Sequence, residues 1–108
     1  MSDDTPPTHL SERARTLWRD LRAAYVLDDP AALELLRRML EASDTADTAR
    51  AQLAIDGLIL VDRFGQVRVH PLCAVERDAR LSVARLCREL CLTAPEDDPR
   101  PPRVGGGQ

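Results

Sequence analysis

Residues 58–69, "LILVDRFGQVRV", interrupt a chain that otherwise spaces its apolar residues for helices between about residues 10 and 92. "LILV" is β-prone, "DRFGQ" supplies a Gly-centred turn, and "VRV" returns with Val67 and Val69 on one face and Arg68 on the other. Two strands of that length are not stable alone. The hairpin must therefore lean on helices or on a neighbouring subunit, which limits the fold to a helical domain carrying one small β element.

The helices are read from their periodicity. Ser11 is a good N-cap for a run with Ala14, Leu17, Trp18, Leu21 and Tyr25 on one face. Asp28-Asp29-Pro30 ends that helix and opens the next, with Asp at N-cap and Pro at N1. Leu33, Leu36, Met39 and Leu40 form its apolar stripe. "SDTADT" (43–48) offers caps for a third helix through Ala49, Leu53 and Ile55, or lies within one continuous bent helix. Gly57 ends this part as a left-handed residue. After the hairpin, Pro71 opens a last helix to about Leu92, with Leu72, Val75, Ala79, Val83, Leu86 and Leu90 on its inner face. The expected fold is mainly α, three to four helices with one short β-hairpin between the last two. One Trp, one Tyr and one Phe among 108 residues make the core aliphatic.

Residues 1–9 and the Pro/Gly-rich 93–108, "TAPEDDPRPPRVGGGQ", show no apolar pattern able to offset the entropy of ordering. They are expected to be disordered tails around a domain at 10–92. No apolar run approaches the roughly 18 residues of a membrane span, and the acidic N-terminus is unlike a secretory signal. The expected location is cytoplasmic. The odd count of cysteines, Cys73, Cys87 and Cys91, fits reduced thiols.

All fifteen basic residues are arginine. Residues 11–27 hold four against two acids, residues 28–61 three against seven, and residues 62–92 six against four. Both ends of the domain are thus basic and its middle acidic. Arg15, Arg19 and Arg22 fall on one flank of the first helix, away from the apolar stripe, and form a candidate phosphate-contacting surface as well as an ordinary solvated face. Arg63 and Arg68 of the hairpin are the competing candidates. On the last helix, Leu81 lies among Arg77, Arg85 and Arg88 opposite the core stripe, a candidate oligomer interface.

Nothing points to catalysis. Ser11, Ser43 and Ser82 lack the surroundings of a nucleophile, no Gly-rich loop follows a strand to cradle phosphate, and the carboxylates occur in solvated runs. The expectation is a protein that is not an enzyme and takes no cofactor. A zinc site from His70, Cys73, Cys87 and Cys91 is excluded by reach, because fourteen helical residues put Cys73 and Cys87 roughly 20 Å apart. Trp18 and Tyr25 read as core rather than as a base-stacking set. Phe64 in the hairpin turn either contacts a partner or tucks beneath the strands.

In order, the helix "LSERARTLWRDLRAAYVLDD", the segment "ARAQLAIDGLILVDRFGQVRVHPL" and the helix "AVERDARLSVARLCRELCL" before a Pro-rich tail resemble the small subunits of phage terminases. The resemblance spans about residues 10–95. Two positions depart from it: His70 stands where the family often has Asn before the Pro, and Cys91-Leu92 where it more often has Gly-Leu. The resemblance implies a non-catalytic viral DNA-packaging role in a host cytoplasm. Such a subunit binds double-stranded phage DNA, assembles as a homo-oligomeric ring and delivers DNA to the large terminase subunit. The rival readings are a winged-helix DNA-binding regulator and a protein-interaction adaptor without DNA binding. Against the first, the segment before the hairpin (45–56) holds only Arg50 against several acids and would repel phosphate.

Overall fold

A computed structural model describes residues 5–92, and the expected C-terminal tail lies outside the described residues. Three helices and one hairpin follow in the order α1 (Glu12–Ala24), α2 (Pro30–Asp56), β1 (Ile59–Val61), β2 (Val67–Val69) and α3 (Leu72–Glu89). The architecture is mainly α with the hairpin between the last two helices, as the periodicity implies.

Local chemistry sets most boundaries. The Ser11 hydroxyl accepts from the Ala14 amide, and the Asp29 carboxylate accepts from the Ala32 amide just before Pro30. Each side chain satisfies a first-turn donor that the helix itself leaves orphaned. Gly57, at φ 83°, ends α2 by donating its N–H to the Leu53 carbonyl. That backbone region is open to glycine at no steric cost.

α2 is one helix of 27 residues, so the alternative of a separate third helix beginning at 43–48 is not realised. The reason is where the polar side chains of that stretch go. Asp44 accepts from both the Ser11 amide, at 2.8 Å, and the Ser11 hydroxyl, at 2.6 Å. Asp47 pairs with Arg13 at 2.7 Å, and Ser43 accepts from the same guanidinium. Residues that would cap a new helix bind α1 and its cap instead, and Ala46 and Ala49 of the same stretch are buried.

The ordered part also begins earlier than composition suggests. Pro6 is buried, the Leu10 amide donates to the Pro7 carbonyl, and His9 Nε2 lies 2.7 Å from Glu41. Residues 5–9 therefore belong to the folded part, tied to α2 by side chains that hydropathy does not register. Residues 1–4 lie outside the described residues.

α3 packs along α2, and α1 crosses the same helix. The main core joins Leu10, Ala14 and Trp18 to Leu27, Leu36, Met39 and Leu40 and to Leu86 and Leu90. It sits where α1, the first half of α2 and the last half of α3 meet. Toward the hairpin the buried positions are small, Ala46, Ala49 and Ala79. Val75, assigned to the inner stripe of α3 by its spacing, is 41% exposed there. Among the described residues the buried indole Nε1 of Trp18 has no hydrogen-bond partner.

Candidate nucleic-acid and assembly surfaces

The hairpin turn is built around Asp62. Its Oδ1 accepts from the Phe64 and Gln66 amides at 2.8 and 2.9 Å, and its Oδ2 accepts from Arg68 Nε at 3.0 Å. The Gln66 amide and then the Arg68 guanidinium hold the Asp62 carboxyl below the usual carboxylate range. Gly65 takes the left-handed conformation that the turn requires, φ 78°.

The strands pair antiparallel with Ile59 opposite Val69, Leu60 opposite Arg68 and Val61 opposite Val67. Because directly paired residues share a face, Ile59, Val61, Val67 and Val69 form one aliphatic quartet. All four are exposed, at 54%, 66%, 69% and 66%. Half-buried Leu60 and exposed Arg68 occupy the other face. Phe64 projects at the tip, 76% exposed, with the Arg63 guanidinium 5.2 Å from its ring centre. Of the two positions open to it in the sequence, Phe64 does not take the one beneath the strands.

The hairpin is fastened to the helices through His70, which is 8% exposed. Its amide donates to the Leu58 carbonyl, and its own carbonyl accepts from the Cys73 amide. Nδ1 accepts from the Leu72 amide at 3.1 Å, which places the ring proton on Nε2, 2.9 Å from Asp56. His70 thus accepts from the first amide of α3 while holding the end of α2. The hydrogen bond from His70, with a second from Gln52, keeps the Asp56 carboxyl below its ordinary value. The sequence does carry a signal for the first of these bonds, a ring nitrogen acceptor directly before Pro71, the N-cap of α3, but the other partner lies fourteen residues upstream.

The three first-helix arginines are not equivalent. Arg15 is half-buried and donates to the Leu10 and Thr8 carbonyls, closing the chain leading into α1. Arg22 is half-buried and also has a partner. Arg19 is exposed. On the hairpin, Arg63 stacks on Phe64 and Arg68 is paired with Asp62.

On α3, Leu81 is 61% exposed, and Arg77, Arg85 and Arg88 are exposed around it. Arg77 approaches Asp78 at 3.5 Å and Arg85 approaches Glu89 at 4.0 Å, pairings that hold little charge back from solvent.

One basic pairing emerges only in three dimensions. Arg50 of α2 and Arg80 of α3 line the same groove, of about 390 Å³, with Arg13 and Asp47 at its α1 side and Glu76 beneath Arg80 at 2.9 Å. Arg50 and Arg80 lie thirty positions apart, and each reads in sequence as an isolated surface charge.

Among the described residues no group of three His, Cys, Asp or Glu side chains is placed to hold a metal, and no helix is long and apolar enough to cross a membrane. The three cysteines are free thiols, Cys73 and Cys87 half-buried and Cys91 exposed. Cys91 stands beyond α3 rather than within it, at φ 60°. Its amide donates to the Arg88 carbonyl and the Leu92 amide to the Cys87 carbonyl, the paired bonds of a Schellman helix end. No family model, curated protein or solved structure matches the chain.

Proposed function

We propose that this chain is a DNA-packaging subunit of the small-terminase kind: not an enzyme, assembled as a homo-oligomeric ring in a host cytoplasm, binding double-stranded phage DNA and delivering it to a large terminase subunit. The observation that carries the reading is the uncovered hairpin. It projects an aliphatic quartet and an aromatic tip to solvent from a domain whose main core is built of buried leucines. Such a surface suits a subunit completed by other copies of itself. The resemblance in the order of sequence motifs supplies the packaging role, and the arginine surfaces supply a means of holding phosphate.

A ring also accommodates a chain of net charge −3, because a modest basic patch repeated around it gains avidity. Of the arginines, exposed Arg19 and the hairpin pair Arg63 and Arg68 are the DNA contacts in this reading. Arg15 already donates to the Thr8 and Leu10 carbonyls, and Arg22 has a partner of its own.

Sedimentation velocity together with a DNA mobility shift tests the whole. The expected result is an assembly larger than a dimer that retards duplex DNA. Replacing Arg19, Arg63 and Arg68 by Gln should weaken binding to all duplex sequences alike and flatten the log–log salt dependence by roughly one unit for each phosphate no longer neutralised. Assembly without any DNA retardation would favour the protein-interaction adaptor. A dimer that binds one sequence specifically would favour the regulator.

A further inference from the structure

We infer that the seam between the second half of α2 and α3 holds a phosphate of the duplex backbone between Arg50 and Arg80. This rests on the DNA half of the reading above and adds to it a contact that no single stretch of sequence displays. Arg50 and Arg80 line two adjoining compartments of that seam, of about 390 and 500 Å³. One reaches toward Arg13 of α1, the other toward Leu58 at the base of the hairpin.

The charges around the two arginines decide the ligand. In sequence the acids of α2 outnumber Arg50, but the fold ties them up or turns them from this seam. Asp47 is paired with Arg13 at 2.7 Å. Asp44, which accepts from Ser11, and Gln52, which is bonded to Asp56, border the opposite seam of the same two helices. Arg50 is exposed and, among the described residues, in no ion pair. Glu76 meets Arg80 at Nε, 2.9 Å away, yet the Arg80 side chain is 61% exposed and that of Glu76 only 14%. Three arginines against two carboxylates leave the seam net positive. Guanidinium groups present planar donor pairs that match phosphate oxygens.

The hairpin extends the site. The bond from the His70 amide to the Leu58 carbonyl continues the ladder, so Leu58, Leu60 and Arg68 stand on one side and the aliphatic quartet on the other. Leu58 lines the same compartment as Arg50 and Arg80. Basic groups thus follow one another from the seam to Arg68, on the side of the hairpin that leaves the quartet free for assembly. A duplex suits this series better than an acidic peptide, because its backbone carries one charge about every 1.7 Å of axis and releases counterions at each contact. One net charge per subunit holds a lone phosphate weakly, so the seam acts through repetition around the assembly.

The test is fluorescence anisotropy of a labelled duplex with the full chain over a salt series, with circular dichroism on every variant. Arg50→Gln combined with Arg80→Gln should keep the wild-type helicity and weaken duplex binding on the order of tenfold at low salt, lowering the log–log salt slope by roughly 0.9 for each phosphate freed. Glu76→Gln, which keeps an acceptor for Arg80 but removes its charge, should shift binding the other way and tighten it severalfold. Arg38→Gln, at an exposed arginine paired with Glu34 near the other end of α2, should change nothing. If the double variant and Glu76→Gln both bind like wild type while loss of Arg19, Arg63 and Arg68 weakens binding, the seam site is overturned and the DNA reading stands. A wild-type chain that binds no duplex overturns both. If that chain instead binds poly-glutamate and the double variant does not, the seam belongs to an acidic protein partner. Inorganic phosphate that binds wild type and not the double variant, where the variant's duplex affinity is unaltered, overturns the DNA backbone as the source of the phosphate.

Discussion

The two ends of the domain are held by different means. At one end, Trp18, Leu36, Met39, Leu40, Leu86 and Leu90 interdigitate from three elements, and long side chains fill the space between helices. At the other, the second half of α2 meets the first half of α3 over Ala46, Ala49 and Ala79. There the larger apolar side chains, Ile55, Leu58 and the hairpin quartet, face outward. Small residues allow close helix approach but bury little area, so the alanine end gains less from the hydrophobic effect. It depends instead on directional bonds converging on His70. The buried long side chains are thus gathered at one end of the molecule and most of the exposed apolar ones at the other.

If that division holds, substitutions at the two ends should differ in size. Leu36→Ala, at a fully buried position, should cost about 2–5 kcal/mol in a denaturant titration and threaten the fold of the whole domain. A loss below about 1 kcal/mol would mean that the leucine end is not the principal core. His70→Ala should cost less, roughly 1–3 kcal/mol, by leaving the Leu72 amide uncapped and the junction unfilled. Its effect should concentrate on the hairpin, read as accelerated amide exchange at Val67–Val69 while α1 stays protected. His70→Asn, which keeps an acceptor before Pro71, should restore protection in the first turn of α3 but not the link to Asp56.

The same junction should give the alanine end an acid sensitivity. Asp56 has a folded-state pKa below its unfolded value, so its contribution is complete above the unfolded value and fades as pH falls through the folded one. Asp56→Asn should therefore flatten the acid limb of a melting curve taken from about pH 6 downward. Glu34, held low chiefly by its hydrogen bond from Arg37, should behave similarly at the leucine end. Added salt should screen that arginine pair more than the bond to buried His70. Equal salt sensitivity at both sites would remove the distinction.

The smallest expected change is a gain. Cys91 occupies a left-handed helix-end position at φ 60°, where a Cβ costs about 1 kcal/mol or slightly more, and Cys91→Gly should recover roughly that amount. A melting temperature unchanged or lowered by the substitution would count against the strain.

What is legible in the sequence is local. Ser11, Asp29-Pro30 and Gly57 announce helix ends because a cap bonds amides within a few residues, and the stripe of α1, with that of α3 apart from exposed Val75, follows from helical period. The hairpin register follows from the Asp62–Gln66 turn. What is not legible is distant. Asp44 and Asp47 look like caps until Ser11 and Arg13, more than thirty residues earlier, are placed beside them. Arg15 reads as a surface charge, yet one nitrogen of its guanidinium donates to the Leu10 carbonyl, and Arg50 joins Arg80 only across the packed pair of helices. Period and propensity carry no information about such partners.

Trp18 is the chain's only tryptophan, buried at the leucine end with its indole N–H unbonded among the described residues. Intrinsic fluorescence is therefore a one-ended reporter. Its emission should shift when the leucine core opens and remain silent when the hairpin detaches or docks. A hairpin event has to be followed by another probe. Where fluorescence and hairpin amide exchange give different midpoints in the same titration, their separation measures how strongly the two ends are coupled.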